Sequence, residues 1–130
     1  KFIPAIIWLI LAVVLLTLPG STLPHKTWLN SIIYFDKIVH IGLFSMMVFL
    51  FFMPFIKSKS APLVSQKKRI LFRVALSGLA LGIIIEFVQK YWIPGRGFEI
   101  TDIVADGVGC FLPFVFFRLM VKSSNYKTSK

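Results

Sequence analysis

Acidic residues are scarce in this 130-residue chain, which has five Asp and Glu against fifteen Lys and Arg and a formal net charge of +10. Cysteine is scarcer still. Cys110 stands alone, which excludes an internal disulfide and a thiolate metal site. There is no internal repeat, no low-complexity segment and no polar stretch long enough to form a soluble domain. What abounds is apolar sequence: 57% hydrophobic residues with 14 Phe, and a mean hydropathy of +0.83. That is too apolar for a soluble domain of this size and indicates membrane spans. A crossing of a hydrocarbon core about 30 Å thick takes roughly 20 helical residues. The chain therefore holds about four crossings and little else. In a soluble protein the basic excess would suggest nucleic acid. Here the basic residues fall in loops and tails between apolar runs, with no RNA- or DNA-binding motif, so nucleic acid is not expected as a partner.

Four apolar runs stand out, at about 2–18, 38–56, 70–93 and 103–121. The first is opened by Lys1 and resembles a signal-peptide core, but the following LPGST lacks an A-x-A cleavage pattern, so a retained span is expected. Pro19, Gly20 and Pro24 end it. Trp28, Leu29, Ile32 and Ile33 then recur at helical spacing, as in a short helix lying in the interface. The second run is entered through Asp36 and Lys37 and contains His40. The third is interrupted by Arg73, Glu86, Gln89 and Lys90, and the fourth contains Asp106 and Pro113. Residues 122–130 form a polar, basic tail that is expected to fray. The expected fold is all-α, a single domain over 1–130 with four antiparallel transmembrane helices in a bundle.

The basic residues orient the bundle. Lys57, Lys59, Lys67, Lys68 and Arg69 lie between the second and third runs, and Lys122, Lys127 and Lys130 lie in the tail. Loops rich in Lys and Arg stay in the cytoplasm. Both termini and loop 57–69 are thus expected to be cytoplasmic, in the cell (inner) membrane of a bacterium. All five acids (Asp36, Glu86, Glu99, Asp102 and Asp106) then fall at the outer end, with Lys37, His40, Gln89 and Arg96. This segregation is the strongest functional hint in the sequence.

Helical spacing turns several of these groups inward. Gly78 and Gly82 form a small-xxx-small pair that admits a neighbouring helix. Glu86 and Gln89 continue the same face. Asp102, Asp106, Gly109 and Pro113 share a face in the fourth run. Asp36 and His40 are four apart and within hydrogen-bonding reach on one helix, and His is the side chain best suited to exchange protons near neutral pH. Blander readings stand beside these. Asp36 and Thr101–Asp102 suit helix starts, and Glu86 could form a structural ion pair with Lys37 or Arg96. Arg73, Lys90 and Arg118 read as snorkelling anchors. His25 and Cys110 have no supporting constellation, and the GRG after Pro94 is a turn and no phosphate loop.

D-K-x-x-H at 36–40, E-x-x-Q at 86–89, Arg96, E-x-x-D at 99–102 and D-x-x-G at 106–109 together resemble the VanZ-like family. Order, spacing and hydropathy agree over nearly the whole chain. Each piece is weak alone, and the ordered set is specific. The family usually carries Asn where this sequence has Asp106, a change that keeps an inward polar group and adds a possible negative charge. By residue-for-residue match, the resemblance places the family's polar positions at Asp36, Lys37, His40, Glu86, Gln89, Arg96, Asp102 and Asp106. It implies a small bacterial membrane protein, in a family named for a protein linked to resistance to the glycopeptide teicoplanin.

The expected function is a polar pocket at the outer leaflet. It would bind an envelope lipid, a lipid-linked cell-wall precursor or a lipoglycopeptide-type drug. Lys37 and Arg96 would hold an anionic group, with Asp36, Glu86 and Asp106 orienting them and His40, Gln89 and Asp102 lining the site. The alternative is a membrane-embedded hydrolase or transferase acting on a phosphate- or sugar-bearing lipid. Its proton-transfer pair would be His40 and Asp36, with Glu86 as a second acid/base. His40, Glu86 and Asp106 are weak candidates for a metal set. A transporter would need polar groups through the full membrane depth, and the cytoplasmic halves of the four runs are apolar apart from end residues. The sequence points to no cofactor.

Overall fold

The computed structural model describes residues 1–19, 35–56 and 64–128. These residues contain four helices and no strand. They are α1 (Ile3–Leu16), α2 (Phe35–Ile56), α3 (Val64–Trp92) and α4 (Ile100–Thr128). The α2 and α3 helices and the Ile100–Leu119 part of α4 are each long and apolar enough to cross a membrane. The α1 helix is not: its 14 residues reach about 21 Å at ~1.5 Å per residue. It starts with Pro in its first turn, where a missing N–H costs nothing. At its end the Thr17 hydroxyl donates to Val13 O at 2.7 Å, closing the last turn.

The helices outrun the apolar segments. The α3 helix starts at Val64, six residues before Ile70, because Gln66, Lys67, Lys68 and Arg69 are good helix formers. Hydropathy marks where the hydrocarbon ends, and propensity marks where the helix ends. The same cause corrects the expectation of a frayed tail, because α4 continues to Thr128. The interfacial helix expected around Trp28–Ile33 lies outside the described residues.

The α2 helix packs most extensively on α4, α3 packs against both, and α1 lies on α2. The Trp8 indole N–H fastens α1 by donating to Leu43 O at 3.0 Å. Three glycines permit the close approaches. A Cβ on Gly109 would stand 2.6 Å from Ile41 O, so α2 and α4 touch backbone to side-chain-free backbone there. A Cβ on Gly78 would meet Cys110 Sγ at 2.9 Å, and one on Gly82 would meet Asp106 Oδ2 at 2.5 Å. Large apolar side chains such as Ile7, Ile10, Leu76, Ile84, Val115 and Phe116 face outward. In water such a surface would aggregate, and in lipid it is the ordinary exterior.

A tight turn joins α3 to α4. Arg96 N donates to Ile93 O at 3.3 Å, Pro94 occupies the second position, and Gly95 has φ 75°. These are the marks of a type II turn, whose third position favours Gly. The reversal sets the last turns of α3 beside the first turns of α4.

Candidate functional site

The start of α2, the end of α3 and the start of α4 meet at one end of the bundle. There the structure buries five polar side chains: His40, Glu86, Gln89, Asp102 and Asp106, none more than 4% exposed. On insertion scales a charged residue at mid-helix costs roughly 3 kcal/mol, so each group needs a partner.

His40 is the centre. Its Nδ1 lies 2.8 Å from Asp106 Oδ1, and both side chains are 1% exposed. Gly82 makes the room, since any side chain at that position would collide with the Asp106 carboxylate. The other ring nitrogen, Nε2, is buried without a hydrogen-bond partner among the described residues. It faces Asp102 Oδ2 at 3.8 Å, too far for a hydrogen bond. The carboxylate that orients the imidazole is therefore Asp106, from another helix, and not Asp36 one turn away. Asp36 instead sits 3.4 Å from Lys37 Nζ, with its side chain about half exposed. It remains close: one ligand atom each from Asp36, His40 and Asp102 lie within 4.8 Å of one another.

Lys37 bridges the mouth of this cluster. Its ammonium pairs with Glu99 at 2.6 Å and also with Asp102 and Asp36. The side chain is 20% exposed and that of Glu99 57%. The sequence expectation cast Lys37 as an anion holder, but here three carboxylates occupy it. All five acids of the chain lie at this end of the bundle, three of them on Lys37 and one on the imidazole. The end of the bundle is thus acidic in a protein that is otherwise strongly basic.

Glu86 is fully buried. Its Oε2 accepts the Glu99 backbone N–H at 2.9 Å, and its Oε1 has no partner among the described residues. It pairs with neither Lys37 nor Arg96. Gln89 donates from Nε2 to Leu16 O at 2.7 Å, and Arg96 donates from Nε to Leu18 O at 3.4 Å. Both therefore tie down the end of α1, and among the described residues Arg96 forms no ion pair. The candidate metal set also changes membership. His40, Glu86 and Asp106 do not form the converging group, because Asp106 lies on the Nδ1 side of the ring. Among the described residues, the group with ligand spacing is Asp36, His40 and Asp102.

Glu99 is the site residue that inspection of the sequence left out of the pocket. Its side chain pairs with Lys37 and its backbone serves Glu86. The E-x-x-D spacing at 99–102 was the available signal. The backbone contact had none, because it depends on the turn that precedes α4.

Comparison with protein families places a match to the family model described as VanZ/LLP1 over residues 2–121. No curated protein and no solved structure matches the chain.

Proposed function

The chain belongs to the VanZ/LLP1 family, and from that premise we propose that it binds the polar head of an envelope lipid, a lipid-linked cell-wall precursor or a lipoglycopeptide-type drug. The head group enters at the acidic end of the bundle. One observation carries this reading: a buried imidazole, oriented by Asp106, has a second nitrogen that faces Asp102 with no hydrogen-bond partner among the described residues, at a mouth formed by the more exposed Asp36, Lys37 and Glu99. Burying so many polar groups in a lipid-facing bundle is costly, and residues kept at that cost mark functional sites. Carboxylates and an imidazole suit the hydroxyls and amines of sugar-bearing heads. A role in teicoplanin resistance fits such a site.

A second reading rests on the same imidazole. A carboxylate-held histidine with an open nitrogen is the arrangement of a general base. A hydrolase or transferase on a phosphate- or sugar-bearing lipid would use His40 Nε2 to take the proton of the attacking hydroxyl. Asp106 would hold the ring, a part first assigned to Asp36.

In this reading the protein lies in the bacterial cell membrane with its acidic end outward, which the basic residues toward the opposite end support. Single-cysteine labelling tests this placement, because Cys110 is fully buried. With an impermeant maleimide on intact cells, Gly97→Cys is labelled and Ser60→Cys is not. The reverse pattern overturns the orientation. For function, His40→Ala, Glu86→Ala and Arg96→Ala are compared for teicoplanin susceptibility and membrane abundance. The site reading expects His40→Ala to lose protection at normal abundance. Unchanged susceptibility in all three variants at normal abundance sinks it.

A further inference from the structure

We propose that Asp36, His40 and Asp102 bind a divalent transition-metal cation, with Asp106 as the positioning residue behind the histidine. Three observations converge. The first is spacing. Ligand atoms held at about 2.0–2.2 Å from a common ion lie up to about 4 Å apart. His40 Nε2 and Asp102 Oδ2 are 3.8 Å apart, and Asp36 completes a set within 4.8 Å. Because the Asp36 side chain is 51% exposed, it has the freedom to close the remaining distance. The second is the unpartnered nitrogen. His40 is 1% exposed, yet its Nε2 has no hydrogen-bond partner among the described residues and points at a carboxylate oxygen. A buried ring nitrogen facing a carboxylate oxygen at 3.8 Å, with no hydrogen bond to it, leaves a place for a cation between them.

The third is the support behind the ring. Histidines that bind metal almost always give their other N–H to a carboxylate or carbonyl, which fixes the tautomer and raises ligand basicity. Asp106 holds Nδ1 at 2.8 Å, from a niche that only a glycine at position 82 leaves open. Lys37 does not close the site. It pairs with Asp102 through Oδ1 and with Asp36 through Oδ2, which leaves the other oxygen of each carboxylate, and Oδ2 of Asp102 is the one nearest the imidazole. One nitrogen and two carboxylates suit zinc, manganese or iron(II). Three protein ligands leave coordination positions for a phosphate or hydroxyl oxygen. An acidic pocket would thereby accept an anionic head group that its carboxylates alone would repel. Only this last role rests on the proposed function, and cation binding stands independently of it.

The test uses the full chain, purified in detergent, stripped with a chelator and titrated with Zn²⁺ by calorimetry and Mn²⁺ by electron paramagnetic resonance. About one ion per chain is expected, with affinity falling about tenfold or more in Asp36→Asn and in His40→Gln. Lys68→Gln, exposed in the first turns of α3 at the opposite end of the bundle, should change affinity less than about twofold. Asp36 is exposed, so its variant keeps the fold, which a matching metal-free unfolding temperature verifies. Sub-stoichiometric binding, or equal affinity in wild type, Asp36→Asn and His40→Gln, overturns the proposal. Retention of phosphatidylglycerol, relative to phosphatidylcholine, is then measured with and without metal. Ion binding without selective retention supports the metal site and counts against the head-group reading. Selective retention by protein that binds no ion does the opposite.

Discussion

The two ends of the bundle are built on the same three helices and pack by different rules. At one end Phe52, Leu71 and Phe117 fill the interior, with Phe52 and Phe117 edge to face at 5.4 Å between centroids. At the other, His40, Glu86, Asp102 and Asp106 do so. The apolar end resembles its surroundings in lipid, and its stability comes from shape and dispersion. The polar end gains nothing from being placed in a membrane. It persists because each side chain has at least one polar partner: His40 and Asp106 pair where Gly82 and Gly109 let the helices close in, Glu86 accepts the Glu99 N–H, and Asp102 holds Lys37. The apolar end also carries a groove of about 340 Å³ lined by Leu9, Met47, Phe51, Arg73 and Ser77, among others. That groove holds no cluster of ionisable groups, so it offers room without chemistry, and the polar end offers chemistry in a packed interior.

If this contrast is right, stability and function should separate along the helices. The largest loss of stability is expected from Phe52→Ala, about 3 kcal/mol as for other buried Phe truncations. It would be read as a lower unfolding temperature in detergent, with head-group binding per folded molecule unchanged. Next comes Asp106→Ala, which leaves the buried His40 Nδ1 unpartnered and should cost about 2 kcal/mol. Binding of the head group should be lost with it. Asp106→Asn sharpens the point, because an amide oxygen still accepts the imidazole N–H, and most of the binding should return. Gly82→Ala should cost about 1–3 kcal/mol by pushing the Asp106 carboxylate off His40. Its binding defect should exceed that of Gly78→Ala, whose neighbours are Cys110, Met47 and Val48 and include no site residue. Glu99→Gln should be smallest, within about 1 kcal/mol, since its pair with Lys37 is largely exposed. A polar-end variant that unfolds the protein while Phe52→Ala does not would break the contrast.

How much of this was legible in sequence depended on distance along the chain. Hydropathy located the helices, and the three- and four-residue spacings put Gly78, Gly82, Glu86 and Gln89 on one face of α3, all now buried. Charge segregation put the acids together. Pairing across helices was not legible. Asp36 lies one turn from His40 on the same helix, so it was the partner at hand. Asp106 wins because Gly82 and Gly109 bring α4 closer than side chains would allow. Gln89 and Arg96 looked like pocket residues because they are polar and lie near acids. Their partners are backbone carbonyls at the end of α1, which carry no side-chain signature. The length of α4 was hidden for another reason, since a polar tail and a polar helix have the same hydropathy.

The most direct measurement is native mass spectrometry of the protein released from membranes, comparing wild type with His40→Gln and Phe52→Ala at matched amounts of folded protein. The account predicts that wild type and Phe52→Ala carry a phosphate- or sugar-bearing lipid that His40→Gln has lost. Equal lipid retention by all three, or loss in Phe52→Ala alone, would contradict it.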